Sequence, residues 1–558
     1  MTGDGSAPRF LVREEALEAM AAEPVDIAVV GGGITGCGVA RDAALRGLKV
    51  ALVEQEDFGF GTSSRSSKII HGGVRYLEQF QLLLVRESAT ERKILQRIAP
   101  HLVHEIPFHY PVFDRDSYWK VRAGLAVFDI LAGSRGRERS TGLDAAETRR
   151  ALPGLRGPLA GSVRYPEFIT DDARFTLENI LSAIEHGALA ANHARVTGLL
   201  RKGKRVAGIS VEDRLTGKSH EVRAKAVVNA TGPWAEEFLE EVGCRIPKSL
   251  VPSKGIHILL PADRLPILGA TFLRSRAGRR GLAMRRGEWV YVGTSDDEYR
   301  GDLNRPRANR SEVNELLEMT RDCFPEAGLE PHDVKATWAG IRPLILQKGK
   351  STRDMSREDE IWIGPPGLVT VAGGKLTTYR KMGERVLRAV ARTVEGPIPG
   401  GGATARIALP GAIPREGAEH AAPEQEIEAL ADRGVRAATL ERLRRLFGSQ
   451  LTLIRRMGDE DSAWLRPLGD GVPALRAEVR LAVGSEMATT LSDFMDRRSA
   501  LLLFAPEHGL KGANEASRIM ATMLEWSEER RSSELAEYGR LVEEHGLPED
   551  RTKAADTA

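Results

Sequence analysis

Only three cysteines, Cys37, Cys244 and Cys323, are spread over 558 residues, and no two form a CxxC pair. An odd number without paired spacing excludes a disulfide framework and points to a reducing compartment. No run of about 18 uninterrupted apolar residues occurs, so no transmembrane helix is expected. The N-terminus carries Glu14, Glu15, Glu18 and Glu23 in place of a long apolar h-region, which argues against a secretory signal. Excess charge is missing too: 80 Lys and Arg face 78 Asp and Glu, for a net charge of +2. Nothing electrostatic therefore points to nucleic acid. The local clusters "RSRAGRR" (274–280) and "RKGKR" (201–205) read as solvated loops and turns. What is present is ordinary for a globular chain, with 42% hydrophobic and 28% charged residues. The length allows about three domains.

Residues 1–24 read as a leader with a short amphipathic helix over 10–22. "DIAVVGGGITG" then gives a buried strand and a glycine turn, "GCGVARDAALRGL" a helix stopped at Gly47, and "KVALVEQED" a second, parallel strand. Helical patterns follow at 76–99, 117–132 and 170–187, the last capped by Thr170, Asp171 or Asp172. The Asp171-Asp172 pair is read as capping, not catalytic. Hairpin strands with turns at Gly203 and Gly217 lead to a buried strand ending in "NATG", and 250–345 alternates like strands around one helix at 309–323. "EGPIPGGGATARIALPGAIP" reads as a linker (401–414 at its core), and 415–548 is mostly helical before a frayed 549–558. The fold class expected is mixed α/β. A Rossmann-type nucleotide domain at 25–400 is interleaved with an antiparallel-sheet substrate domain (roughly 76–168 and 250–345), and a C-terminal helical domain follows.

"GGGITG" places Gly31, Gly33 and Gly36 in a G-x-G-x-x-G frame between a strand and a helix, the context that gives the frame meaning. The first glycine permits the tight turn, the second lets backbone approach a pyrophosphate, and the third lets helix and strand pack closely. The helix N-terminus then offers free N–H groups to phosphate. Glu54, 23 residues after Gly31, ends the second strand where an acid accepts ribose hydroxyls. Cys37 lies in the first helical turn, where a thiol pKa can fall, but a small packing residue is the better reading. The frame alone does not separate NAD from FAD. "VVNATGPW" (227–234) resembles the second nucleotide-edge motif of two-dinucleotide-binding flavoproteins, drawing in Thr231 and Gly232. "VAGGKLTTYRKMGE" (371–384) can aim a second helix N-terminus at a flavin through Gly374, Leu376 and Thr377. Contacts dispersed along the chain favour FAD.

"SSRSSKIIHGGVRYLE", "TDDARF", "NATGPW", "KGIHILLP", "VGTSDDEYRGD", "WAGIRPL" and "GGKLTTYRK" occur in this order. The series resembles the FAD-dependent glycerol-3-phosphate dehydrogenases of the aerobic, membrane-associated type, strongly over 25–400 and in general character beyond. The resemblance implies hydride transfer from C2 of sn-glycerol 3-phosphate to flavin N5, giving dihydroxyacetone phosphate. It further implies quinone as acceptor and a cytoplasmic protein held monotopically on the inner face of the cytoplasmic membrane. A homodimer is compatible with it, and no metal is called for. An oxygen-using oxidase, another hydroxy-acid or amino-acid oxidase of the superfamily, and a flavin-binding regulator are the alternatives.

Phosphate calls for Arg forks and Lys point charges, with Arg75, Arg342, Arg353 and Lys375 as candidates and Tyr76 as a hydroxyl donor. The family pattern puts Arg75, Tyr76, Arg342 and Lys375 around the substrate, and Arg353 is a weaker transfer. His257, on an apolar strand, is the candidate acceptor of the C2-hydroxyl proton, with His71 second and Arg342 polarising the oxygen. Thr62, Ser63, Ser67 and Lys68 are read as flavin contacts, and Arg65 has no assigned role. One departure is the segment before "GTSD", where Ala283, Met284, Arg285 and Arg286 stand in place of the usual Pro-Trp pair; it reads either as a changed turn alone or as altering substrate entry or the end of the cleft away from phosphate. Finally, Tyr118, Val121, Leu125 and Phe128 recur at helical spacing, with Trp119 and flanking bases beside them, which suits either a membrane interface or, the favoured reading, packing on the sheet.

Overall fold

The computed structural model describes residues 12–77, 81–245, 247–347, 349, 355, 358–412 and 423–549. Its centre is a parallel sheet. Strand Val25–Val30 lies between Val50–Val53 and Ser219–Asn229, and Leu368–Gly373 extends the sheet beyond the latter, all in parallel register. The continuous apolar run of the first strand follows from burial on both faces. Ile27 and Val29 meet Val39, Ala43, Leu177, Ile180 and Leu387 on one side. Ala28 and Val30 meet Val196, Ile209, Phe238 and the N-terminal helix residues Leu17 and Met20 on the other. Three helices, Ile34–Leu45, Asp172–Glu185 and Tyr379–Val390, cover the first side. The helix expected at 10–22 runs Arg13–Ala22, anchored by the buried pair Arg13–Asp213 at 2.5 Å.

A second, mostly antiparallel sheet holds the chemistry. Leu250–Pro261 pairs with Trp289–Gly293 on one edge and Ala336–Ile345 on the other. Ala270–Arg274, Arg280–Arg286 and Trp289–Gly293 form a meander, and His104–Val112 joins it in parallel before pairing with Gly161–Ile169. The segments 104–169 and 250–345, far apart in the chain, therefore share one sheet. Helix Arg310–Cys323 covers one region of it, and Leu82–Ile98 with Arg115–Leu131 cover another. A short helix at Ala145–Ala151, started by an Asp144–Glu147 capping box, was not legible from periodicity.

Asp171 caps helix Asp172–Glu185, accepting from Arg174 N at 3.1 Å. Of the Gly/Pro-rich stretch, residues up to 412 are described, and they are pinned: Arg41 donates to Ile407 O at 2.6 Å and Arg46 to Pro399 O at 3.0 Å. The C-terminal part is helical, from Pro423–Ala431 through Ala437–Phe447, Arg476–Glu486 and Leu510–Leu524 to Glu528–His545. The mixed α/β architecture with a helical C-terminal domain is thus as expected. Among the described residues, no helix is long and apolar enough to cross a membrane.

Candidate active site

The glycine turn is fixed by close approach. A Cβ on Gly31, whose φ is +107°, would stand 2.6 Å from Ala230 O, and one on Gly36 would stand 1.9 Å from Gly31 O. Gly33 occupies the N-cap of helix Ile34–Leu45, and Ile34 N–H donates to Ser63 Oγ at 2.9 Å. Glu54 receives Gly32 N–H at 2.6 Å and Glu56 N–H at 2.9 Å. Burial pushes its pKa up to about 7 against those two hydrogen bonds, with Glu56 and Asp57 adding repulsion. Thr231 N–H and Oγ1 both turn onto Asn229 Oδ1, closing the turn whose Ala230 carbonyl abuts Gly31. Gly232 follows at φ +59°. This strand–turn–helix with a terminal acid fits the adenosine and pyrophosphate of a dinucleotide. Cys37 is the packing residue: it is buried, its thiol donates to Gly32 O at 3.3 Å, and burial with the nearby Glu54 raises its pKa well above normal.

Beyond the turn opens a cavity of about 980 Å³ whose lining includes Thr62, Ser67, His257, Arg342, Lys375 and Thr377. Gly374 and Leu376 line it as well. His257 sits at the centre of its strand, opposite Trp338 on one neighbour and Gly293 on the other. Its ring lies parallel to Trp338, with centroids 4.6 Å and planes 8° apart. Gly293 makes room on the other side, since a Cβ there would fall 2.1 Å from His257 Cδ2. The ring is 1% exposed. Burial, then the Arg342 and Lys68 charges, hold its pKa well below the ordinary 6.5, so the imidazole is neutral at pH 7.

Arg342 enters from the adjacent strand. Its Nη2 donates to Thr294 Oγ1 at 2.8 Å, and its Nη1 to Ser295 O at 3.2 Å and Asp296 Oδ1 at 3.4 Å. Gly255 leaves the space that this guanidinium fills, for a Cβ there would lie 2.2 Å from Nη2. Lys375 begins the turn Leu376–Thr378 ahead of helix Tyr379–Val390.

The loop at 61–73 divides differently from the flavin reading. Thr62 Oγ1 donates to Ile341 O at 2.5 Å, and Ser67 Oγ meets His257 Nε2 at 2.9 Å. The Lys68 ammonium does not face the cavity: it is buried against Asp172 at 2.5 Å and Ser64 O at 2.9 Å. Burial raises the Asp172 carboxyl above the usual range despite Lys68. Arg65 lies over the Phe60 ring at 4.8 Å and donates to Asn304 O at 3.4 Å. His71 lines the cavity, and the next residue, Gly72, gives its N–H to Glu167 at 2.9 Å. The Arg75 and Tyr76 side chains and all of Arg353 lie outside the described residues.

Sequence reasoning missed the groups that hold these residues: Thr294, Ser295 and Asp296 under Arg342, Trp338 under His257, and Asp172 under Lys68. The departure at 283–286 lies away from the cavity. None of those four lines the cavity. Ala283 and Met284 are core, and Arg286 pairs with Asp171 at 2.8 Å while lying over Phe504 at 4.0 Å. The segment therefore joins the sheet to the helical part.

The chain belongs to the FAD dependent oxidoreductase family, whose model matches residues 26–380, while residues 403–531 match the C-terminal domain of alpha-glycerophosphate oxidase. The cofactor is FAD. Among its relatives, the aerobic glycerol-3-phosphate dehydrogenase of Bacillus subtilis (strain 168) is 34% identical over 96% of this chain and 98% of that one. The glycerol-3-phosphate dehydrogenase of Mycobacterium leprae (strain TN) is 35% identical over 95% and 90% respectively. The structure of glycerol-3-phosphate dehydrogenase from Bacillus halodurans complexed with FAD superposes with a TM-score of 0.78 at 32% identity, covering 96% of this chain and 97% of that one.

Proposed function

We propose that the chain oxidises sn-glycerol 3-phosphate to dihydroxyacetone phosphate. Bound FAD supplies the two-electron sink for the hydride that leaves C2. His257 takes the proton of the C2 hydroxyl, and Arg342 stabilises the negative charge that builds on that oxygen. Lys375, with Arg75 and Tyr76 and more weakly Arg353, takes the phosphate. The observation that carries this reading is the buried, neutral His257 beside the Arg342 guanidinium in a cavity that Lys375 also lines. A neutral imidazole can accept a proton, and a fixed cation beside it favours the alkoxide over the alcohol. The full-length relatives named above support the substrate.

Quinone is the acceptor in this reading. The cavity runs on past His257 to Phe108, Tyr110 and Phe272, with the Phe272 ring 4.7 Å from Phe108 and 5.0 Å from Tyr110, an apolar arm suited to a flat lipophilic molecule. Oxygen is the second reading, favoured by the oxidase name of the C-terminal family. The protein attaches to the inner membrane face through helix Arg115–Leu131, beside the cavity mouth at Phe113, Lys120 and Val121.

Anaerobic addition of glycerol 3-phosphate to the holoenzyme is expected to bleach the flavin absorbance. Persistent yellow colour rejects the substrate. Faster reoxidation by a soluble quinone than by air is expected, and the reverse order assigns an oxidase.

A further inference from the structure

The loop Ser64–Lys68 is fastened by hydrogen bonds with Asp172, Trp338 and Tyr291. Asp172 Oδ2 accepts both Ser66 N–H at 3.0 Å and Ser66 Oγ–H at 2.7 Å, while Oδ1 takes the Lys68 ammonium. Trp338 Nε1–H donates to Ser66 O at 3.1 Å and the Tyr291 hydroxyl to Ser67 O at 3.2 Å. Lys68 itself holds φ +54°, a left-handed backbone that a non-glycine residue keeps only when its surroundings impose it. Two of these bonds, to Ser66 O and Ser67 O, fix the peptide units on either side of Ser67, and the other three tie its two neighbours to Asp172.

That hydroxyl is the one hydrogen-bond partner of His257 among the described residues. Nδ1 of the ring is enclosed and has no partner, whereas Nε2 meets Ser67 Oγ at 2.9 Å. Trp338 and Gly293 fix the plane of the ring but not its rotation within that plane. The same two aromatic residues that flank the ring, Trp338 and Tyr291, also carry the hydrogen bonds to the loop. The imidazole and the serine are thus parts of one clamp.

We infer that Ser67 carries the proton between substrate and His257: its hydroxyl, which lines the cavity and occupies the one in-plane site of Nε2, gives its own proton to that nitrogen as its oxygen takes the proton of the substrate's C2 hydroxyl. This rests on the function proposed above. Flavin contacts by the loop then come from its backbone and from Thr62, and the Ser67 hydroxyl is reserved for the base. Removing the hydroxyl breaks that proton path without touching the groups that bind the phosphate. Loss of the hydroxyl is therefore a defect in rate.

The test is anaerobic stopped-flow reduction of FAD-loaded S67A and S67T by glycerol 3-phosphate. S67A is expected to lower the limiting reduction rate by about 10–100-fold, a fraction of what a general base supplies, with the half-saturating concentration unchanged. S67T, which keeps the hydroxyl, restores most of the rate. Should S67A lose FAD, S67C keeps the side-chain size with a poor donor and must show the same slowing. A wild-type rate in S67A or S67C, or a rate equally slow in S67T, overturns the inference. A second measurement needs no substrate. In 15N-histidine-labelled holoenzyme the ring-nitrogen shifts of His257 must move in S67A and return in S67T, and unchanged shifts overturn the inference. If the unsubstituted holoenzyme fails to bleach, the substrate reading falls, and the nitrogen shifts alone then decide whether Ser67 holds His257.

Discussion

His257 shows how one side chain's chemistry is set by its neighbours. In water an imidazole is half protonated near pH 6.5. Here burial removes the solvation of the charged form, and Arg342 and Lys68 repel it further. The reduction rate is therefore expected to stay flat between pH 6 and 8, with the acid limb well below 6.5. Stopped-flow bleaching across that range checks it, and a limb near 6.5 that vanishes in H257N would contradict the burial argument. H257N itself should slow reduction by about 10²–10⁴-fold, the usual contribution of general-base catalysis. Much of this site was legible as residue type: His257, Arg342 and Lys375 stand in recognisable motifs, and all three line the cavity. A lysine among serines, as at Lys68, looks like an anion contact, and nothing local shows that its ammonium pairs with Asp172, 104 residues away. Trp338 and Gly293 carry no local sign of their role, for the sheet register alone puts them against His257.

At the level of the element, the helix Arg115–Leu131 has two apolar faces. The face picked out by spacing turned inward, with Leu125 and Phe128 buried against the sheet, as the favoured packing reading required. Of the opposite face, the sequence reading picks out Trp119 with its flanking bases but not Val127 or Ile130. Trp119 is 63% and Ile130 78% exposed, with Val127 between them. Arg115, Lys120 and Arg122 flank this outward row. Leu82 and Leu83, the latter 85% exposed, start the neighbouring helix. Surface helices ordinarily turn charge outward. An apolar outward row with basic flanks and a tryptophan suits the headgroup boundary of an anionic bilayer. Co-flotation with anionic lipid vesicles is expected for the wild-type protein and should be lost in the double variant W119E/I130E, with soluble-acceptor activity retained because neither residue lines the cavity. Equal flotation of the variant would place the membrane contact elsewhere. Periodicity found this helix because its inward face is regular; it passed over Val127 and Ile130 because two apolar faces together leave little contrast.

Across the whole molecule, the loop after Glu54 and the helical C-terminal part are joined by buried charge. Asp57 accepts from Arg497 Nε at 2.6 Å, from Arg498 Nη1 at 2.6 Å and Nη2 at 2.8 Å, and from Asn192 Nδ2 at 2.9 Å. Arg497 Nη2 continues to Asp493 at 2.8 Å, which also meets His193 Nε2 at 3.0 Å. No signal in the sequence could pair position 57 with 497, since such contacts depend on the finished tertiary structure, whereas the strand–turn–helix around Gly31 is written in consecutive residues. Asp57, His193 and Asp493 also sit close enough to share a metal ion, but the two guanidiniums already supply the positive charge. Burial alone would raise the Asp57 pKa; Arg498 and Arg497 overcome it and keep the carboxyl below its usual range. A carboxyl depressed in the folded state contributes stability that is fully present above its unfolded pKa of about 4 and is lost as pH falls through the lower folded value. Removing one partner from a buried ion pair costs about 3–5 kcal/mol because it leaves charge uncompensated. D57N should therefore lower the melting temperature by several degrees at pH 7 and release FAD during the same transition, since Asp57 lies three residues beyond Glu54. As pH falls below about 4, where the Asp57 carboxyl of the unfolded chain takes up a proton while the folded one is still ionised, the difference between variant and wild type should shrink. Flavin fluorescence followed through thermal melts at pH 7 and at the lowest pH where the holoenzyme survives measures both. A D57N protein that melts with the wild type at pH 7 would mean that the helical part is held to the nucleotide loop by its apolar contacts alone.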